Sequence, residues 1–500
     1  MRASLMNLRA AAGLFALLTV LFMSSTNTFA QDSPAPQETP PAPSAPRPVS
    51  VPKPSEKTLP NGLRVVVVER RNMPLVTAQF LVRSGAEVDP AALAGAADMT
   101  AELLTKGTKT RTAPQIAQEI EALGGSLESS AGWDASRVTV GVMSPKAQPA
   151  LAILADVVRN PVFGAEEVER LRQQYLDSLS VAMGDPGQLA SLVAPRVIFG
   201  ESPYAHPLSG TPESIQRIKR EDIAALHAKF YRPDNSILVL GGDISAADAF
   251  DLAARLFGDW ARPTQPLPAL PASAKQTSAR RRVVVVDMPG AGQAAVVLAR
   301  PGISRTDQQF YSGIVSNAVL SGYSGRLNQE IRIKRGLSYG ARSSLDTRRE
   351  VGPFVASAQT KNPSGAEVAT LLAGELTRLA GEPVRDAELT PRKSVIIGGF
   401  GRALETTEGL VGQVASLALY GLPLDELNNY IRNVQAITPA DVQKFAGARL
   451  GTADASIVIV GDAREFVEPL RKQFGAVEVI PFAELDLNAA ALRKAAGGTK

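Results

Sequence analysis

Ile218 to Asp243 reads IKREDIAALHAKFYRPDNSILVLGGD, and Ile437 to Asp462 reads ITPADVQKFAGARLGTADASIVIVGD; the two align without a gap. Each has a helix start (Lys-Arg-Glu-Asp or Thr-Pro-Ala-Asp), a short helix, a turn, then a strand closed by Gly-Asp, Ser236 to Leu240 in one and Ser456 to Val460 in the other. An amphipathic helix is predicted after each Gly-Asp, over Ala246 to Phe257 and over Arg464 to Phe474. Working back, the openings match as well: Arg64 to Glu69 and Arg282 to Asp287 read as strands, followed by second strands at Val76 to Ser84 and Gln293 to Ala299. Further strands, Arg137 to Met143 and Phe354 to Thr360, lie among helices. One unit is therefore built twice, and its strands and helices do not strictly alternate. That predicts an α+β fold of two homologous domains, each a mainly antiparallel sheet covered by helices.

The boundaries follow from composition. Met1 to Arg9 is basic, Ala10 to Met23 is apolar, and small Thr28 and Ala30 precede Gln31, the pattern of a secretory signal peptide over residues 1–30. The 14 apolar residues fall short of the roughly 20 needed to cross a bilayer, so stable membrane insertion is not expected. Nine of the 22 residues from Ser33 to Pro54 are proline, a spacer within residues 31–56. Domains are expected at 57–262 and 283–484, joined by a proline-containing linker at 263–282 and followed by a tail at 485–500.

Composition also excludes chemistries. A 500-residue chain with 45% hydrophobic content can bury large cores. The formal charge is +4, or +2 once Arg2 and Arg9 are removed with the leader, too even for a dedicated nucleic-acid binder. There is no cysteine, hence no disulfide, thiolate nucleophile or zinc–thiolate site. The two histidines, His206 and His227, are 21 residues apart and cannot form a His-x-x-x-His pair on one helix; both are expected to be structural.

Gly95 to Arg111 reads GAADMTAELLTKGTKTR. It resembles the active-site helix of the M16 metallopeptidases (the insulinase, pitrilysin and processing-peptidase group), in which His-x-x-Glu-His runs into Lys-Gly-Thr. Aligned on Lys106, Gly107 and Thr108, the resemblance puts the histidine positions at Asp98 and Glu102, the general base at Ala101, and the third ligand, 76 residues on, at Ser178. Ala101 takes no proton, and two carboxylates without a third ligand make a weak cation site, so Asp98 and Glu102 are expected to be a solvated or salt-bridged helix face. Leu59-Pro-Asn-Gly-Leu63, Ile120 to Leu127 and Tyr204-Ala-His206-Pro207 also resemble family segments, so that the likeness runs from about residue 57 to 480.

In the second half, Gly325 to Arg342 reads GRLNQEIRIKRGLSYGAR. It resembles the M16 segment whose arginine and tyrosine, seven residues apart, reach toward the zinc site, here Arg332 and Tyr339. Gly336 is expected to end a helix, with Arg332 in its last turn and Tyr339 opening a strand. The resemblance implies a chain that has lost the metal half of the chemistry and kept the donor half. The expectation is a metal-free subunit of a heterodimeric, exported, periplasmic zinc peptidase, with Arg332 and Tyr339 as catalytic and substrate-binding residues. It carries no cofactor itself; zinc is expected in a partner M16 subunit bearing His-x-x-Glu-His, and the substrates are peptides or unfolded proteins. The alternative is a catalytically inactive pseudo-peptidase that binds peptides or acts as a scaffold.

Overall fold

A computed structural model describes residues 50–269 and 281–494. The leader, most of the proline-rich spacer, and the centre of the linker at 270–280 lie outside the described residues.

The first half forms a six-stranded sheet from β1 (Ser55–Thr58), β2 (Arg64–Glu69), β3 (Leu75–Val82), β4 (Ser126–Ala131), β5 (Ser136–Met143) and β6 (Ser236–Gly242), in the order β1-β2-β6-β3-β5-β4. The second repeats it with β7 (Val283–Asp287), β8 (Ala294–Pro301), β9 (Ala341–Leu345), β10 (Pro353–Thr360), β11 (Ser456–Gly461) and β12 (Glu478–Pro481), in the order β12-β7-β11-β8-β10-β9. Both sheets are mixed. The pairs are antiparallel except where β2 runs parallel to β6 and β7 parallel to both β11 and β12. The α+β expectation and the doubled unit both hold.

Strand composition dictates what covers the sheets. Runs such as Val65-Val66-Val67-Val68 and Val283-Val284-Val285-Val286 are apolar on both faces, so each sheet needs two covers. On one face, Val65, Val67, Phe80 and Leu238 join helices of the first half, and Val283, Val285, Val296 and Leu298 join helices of the second. The other covers are exchanged. Helix α1 (Ala96–Leu103) and the long α2 (Ala165–Gly184) belong to the first half, but α3 (Pro186–Phe199), which follows them, packs Leu189 and Val193 onto Val284, Val297 and Val458 of the second sheet. In return α4 (Thr407–Leu419) packs Leu410, Val411 and Val414 onto Val66, Leu81 and Val239 of the first. Gly241 permits that approach, because a Cβ there would lie 2.5 Å from Val411 Cγ2.

A buried polar joint sits beside these helices. Asp134, in the β4–β5 turn, accepts from Tyr204, from Tyr420 Oη (3.0 Å) and from the Arg349 amide (2.8 Å). Arg349 also pairs with buried Glu87 at 2.8 Å, while Arg348 lies 4.2 Å from the Trp133 ring centroid. Burial pushes the Glu87 carboxyl up to about 7, against the opposing pull of Arg349.

Two ends differ from expectation. Val51, placed in the spacer, is buried and its amide donates to Asn428 Oδ1 at 2.8 Å. Residues 485–492, placed in a tail, return to the core: Leu485, Leu487 and Leu492 are buried against α3, and Arg196 Nε donates to the Leu487 carbonyl at 3.2 Å. The alternating Leu-Asp-Leu of this stretch was short enough to read as a solvated end.

Candidate functional site

Helix α1 starts at Gly95, whose φ of +94° only glycine adopts without strain, and a Cβ there would lie 3.0 Å from the Gly210 amide. That contact seats the 204–211 loop against α1. Its consequence is at Asp98, which is buried and accepts from Ser209 Oγ at 2.9 Å and from Tyr175 Oη of α2 at 3.0 Å. The backbone amide of Ala131 faces the same carboxylate and lowers its pKa, more weakly than the two hydroxyls. Burial raises the Asp98 carboxyl, and the three donors pull it back.

This corrects the expected solvated or salt-bridged face. Asp98 is neither; the groups that bury it come from 77 and 111 residues along the chain, beyond the reach of helical periodicity. Glu102 is half-buried and its carboxyl is raised, first by burial and then by Asp98. Ala101 is fully buried, its carbonyl accepting from Ser129 Oγ of β4 at 2.6 Å, and Ser178 is exposed on α2. Two carboxylates, a methyl and a hydroxyl do not fit a tetrahedral zinc site with a basic group beside it. Among the described residues no cluster of three metal-ligating side chains occurs.

The histidines serve the packing. His206 is buried beside Trp133, with Nδ1 2.9 Å from the Pro207 carbonyl and Nε2 3.1 Å from that of Ala86, and burial lowers its pKa. His227 stacks on Tyr231 at 4.6 Å, bonds the Val158 carbonyl at 2.8 Å, and is pushed down to about 4 by burial.

Next to α1 lies the outer edge of β4. The Gly132 amide bonds the Ala135 carbonyl at 2.8 Å, which fixes the phase of the hairpin: Ser126, Glu128 and Ser130 bond toward β5, and the amides of Leu127, Ser129 and Ala131 point outward. Ala131 is engaged by Asp98, whereas the amides of Leu127 and Ser129 have no partner among the described residues. The likeness of Ile120 to Leu127 to the family's loop into an edge strand points to this edge, but which of its amides face outward depends on register, which comes from the hairpin's closing bond.

The second-half edge, β9, has the same phase but is closed. The Asp346 amide bonds the Pro353 carbonyl at 3.0 Å, so Ala341 and Ser343 point outward, and their amides donate to Asn328 Oδ1 (3.4 Å) and Ser321 Oγ (3.1 Å).

Arg332 lies in a π-helical turn, Gln329–Lys334, which Gly336 ends at φ +63°. Such turns hold an extra residue and re-aim side chains. Its guanidinium sits 5.4 Å from the Tyr323 ring centroid and has no ion pair among the described residues. Its neighbours are spoken for: Lys334 pairs with Glu330 at 2.8 Å, and Arg335 with Glu330 and Glu367, each at 3.1 Å. Tyr339 is 90% exposed and occupies a bend, not the opening of a strand, since β9 begins only at Ala341. Locally, Ser338 Oγ donates to the Gly340 carbonyl at 2.8 Å and accepts from the Gly340 amide at 3.1 Å, which holds that bend out of the sheet. Arg332, half-buried, and Tyr339, exposed, thus share one segment, and no hydrogen bond joins them among the described residues.

The family model for the insulinase group, peptidase family M16, matches residues 64–211, and that for the peptidase M16 inactive domain matches residues 217–394. An uncharacterized zinc protease of Streptomyces coelicolor is 25% identical over 416 residues, covering 82% of this chain and 89% of that protein. The non-peptidase homolog YmxG of Helicobacter pylori is 24% identical over 418 residues, 81% of this chain and 94% of its own length. Among solved structures, a peptidase M16 inactive domain from Pseudomonas fluorescens superposes with a TM-score of 0.76 at 28% identity, over 82% of this chain and 98% of that one. A protease from Helicobacter pylori shares the fold, with a TM-score of 0.78 at 20% identity over 82% of this chain and all of the other.

Proposed function

The chain belongs to the M16 peptidase family, and from that premise we propose that it is the metal-free subunit of a heterodimeric, exported M16 zinc peptidase, resident in the periplasm. Its partner is an M16 subunit bearing His-x-x-Glu-His, which holds the zinc, and its substrates are peptides or unfolded segments. One observation carries this reading: Tyr339 stands exposed and half-buried Arg332 makes no ion pair among the described residues, while the adjacent cations Lys334 and Arg335 are neutralised by Glu330 and Glu367.

Hydrolysis of a peptide bond builds negative charge on the carbonyl oxygen, and fixed donors aimed at that oxygen lower the barrier. A guanidinium that stays charged and a phenol that donates without ionising suit the task. Neither reaches a reacting group of this chain, where Asp98 and Ala101 offer no metal and no base, so both act across an interface. Exposed Tyr323 and Ile333 beside them supply apolar area for such a contact. The open amides of β4 supply what an extended substrate needs, a strand edge to pair with.

The test is turnover of a quenched peptide by the reconstituted pair. Arg332→Ala and Tyr339→Phe should each lower turnover by roughly 10²–10³-fold, about 3–4 kcal/mol, with assembly intact by size-exclusion chromatography. Lys334→Ala, which breaks only an exposed ion pair, should cost little. The chain alone should bind no stoichiometric zinc. Wild-type rates for both variants in an assembled complex would leave the second reading in front, an inactive homologue that captures peptides on β4, which the likeness to a non-peptidase homolog favours.

A further inference from the structure

Helix α3 covers β8 and β11 of the second sheet and meets β10 only slightly, Gly187 of its first turn lying against Gln359, leaving a cleft of about 640 Å3 between its first turns and strands β9 and β10. The volume is within the roughly 300–1,000 Å3 of ligand-binding clefts. Strand alternation and register decide its lining. Ala295 and Val297 of β8 face α3, so Ser357 and Gln359 of β10, in register with them, face the same way, and Arg342, opposite Ser357, does too. Gln188 projects from the helix side, and Gln293 precedes β8 on the sheet side.

The polar groups are of two kinds. Gln188, Gln293 and Gln359 carry amides with no hydrogen-bond partner among the described residues. An amide side chain offers a donor and an acceptor in the geometry of a peptide group, so amides on both walls can bond an extended main chain whatever its side chains. Arg342 is the one guanidinium in the lining and is likewise free of any ion pair among the described residues. The one acid there, Asp185, is already committed, its Oδ1 accepting from the Gln188 backbone N–H at 2.7 Å as the cap of α3. The cleft is closed at one end by Gly187, against which Gln359 Nε2 rests so closely that a Cβ would lie 2.0 Å from it.

We propose that this cleft is a second peptide site, taking an extended segment that carries a carboxylate, with the carboxylate on Arg342 and the main chain bonded by the three glutamines. It lies on the face of the second sheet, apart from the β4 edge; Ser338, Tyr339 and Gly340 also line it, so it adjoins the segment of the catalytic reading, but peptide binding here requires neither a partner subunit nor turnover.

The test uses the chain alone and fluorescein-labelled, unstructured eight-residue Gly/Ser/Thr peptides with a single central Glu, Gln or Lys, followed by anisotropy. The Glu peptide should bind saturably, and the Lys peptide about ten-fold or more weakly. Arg342→Glu should reverse that order, and methylating alternate backbone amides of the Glu peptide should weaken it. Gly187→Leu should weaken all three peptides by filling the end of the cleft, with circular dichroism confirming that both variants are folded. The proposal is overturned by equal binding of Glu and Lys peptides, by Glu-peptide binding indifferent to both variants, or by no saturable binding. Binding abolished by Ser129→Pro instead would put the peptide on β4; loss of turnover without change here would concern the catalytic reading alone.

Discussion

Strands β4 and β9 hold the same place in two sheets of the same order, and both direct alternate amides away from the sheet, yet one edge is open and the other is shut. On β9 the side chains of Asn328 and Ser321 take the outward amides of Ala341 and Ser343. On β4 only Ala131 is engaged, by Asp98. An unpaired edge invites another strand, and proteins normally blunt it. The second half has done so. The first half holds Asp98, Ala101 and Glu102 on the helix beside an open edge, while the second carries half-buried Arg332 and exposed Tyr339 beside a closed one. Duplicated domains can thus diverge in what their edges offer, and the place to see the divergence is hydrogen bonds rather than the shared topology.

The comparison can be broken most forcefully at Asp98. Asp98→Ala strands the Tyr175 hydroxyl and the Ala131 amide and should cost about 2–3 kcal/mol by denaturant unfolding, the price of buried donors left unpaired. Burial raises the Asp98 carboxyl, so the folded state holds that proton more tightly than the unfolded chain. Stability from this group is therefore fullest below the unfolded carboxylate value and is lost as pH rises through the folded one; the variant should lack that part of the slope. A variant as stable as wild type, with the same pH dependence, would show that Asp98 does not organise this end of β4.

A milder intervention addresses the open edge itself. Ser129→Pro deletes an outward amide and leaves the β5 ladder intact, so peptide capture at β4 should fall about ten-fold, whereas Ser129→Ala, which removes only the hydroxyl bonded to Ala101, should retain it. Equal loss in the two would mean that the hydroxyl, not the edge, matters. Smallest is the converse on β9: Ser321→Ala frees the Ser343 amide, and thermal unfolding should register about 0.5–1.5 kcal/mol. No change at all would mean that the closure of β9 contributes nothing in solution.

Much of the fold was legible because it is periodic. The Gly-Asp strands align from end to end, and the valine runs announce two-sided burial. What covers the second face was not legible, since Leu189 and Val411 belong to ordinary amphipathic helices whose destination depends on long-range packing. At the site, the order of Arg332 and Gly336 and the end of the helix followed from local rules. The π turn and the bend at Tyr339 did not: the strand start is delayed by the Ser338–Gly340 turn, and Thr360 Oγ1, from far along the chain, holds the Leu337 carbonyl at 2.7 Å. Asp98 misled for the same reason: a charged residue on a helix reads as solvated until Tyr175 and Ser209 arrive from elsewhere.

The exchange of α3 and α4 has a consequence for how the molecule can be cut. Either half made alone would present an oily sheet face to water, Val66, Leu81 and Val239 in one case and Val284, Val297 and Val458 in the other. The halves are domains by ancestry but not by autonomy. A protease that nicks the chain between residues 263 and 282 should release nothing: the two fragments remain clasped, each wearing the other's helix, and separately expressed they should be soluble only when made together.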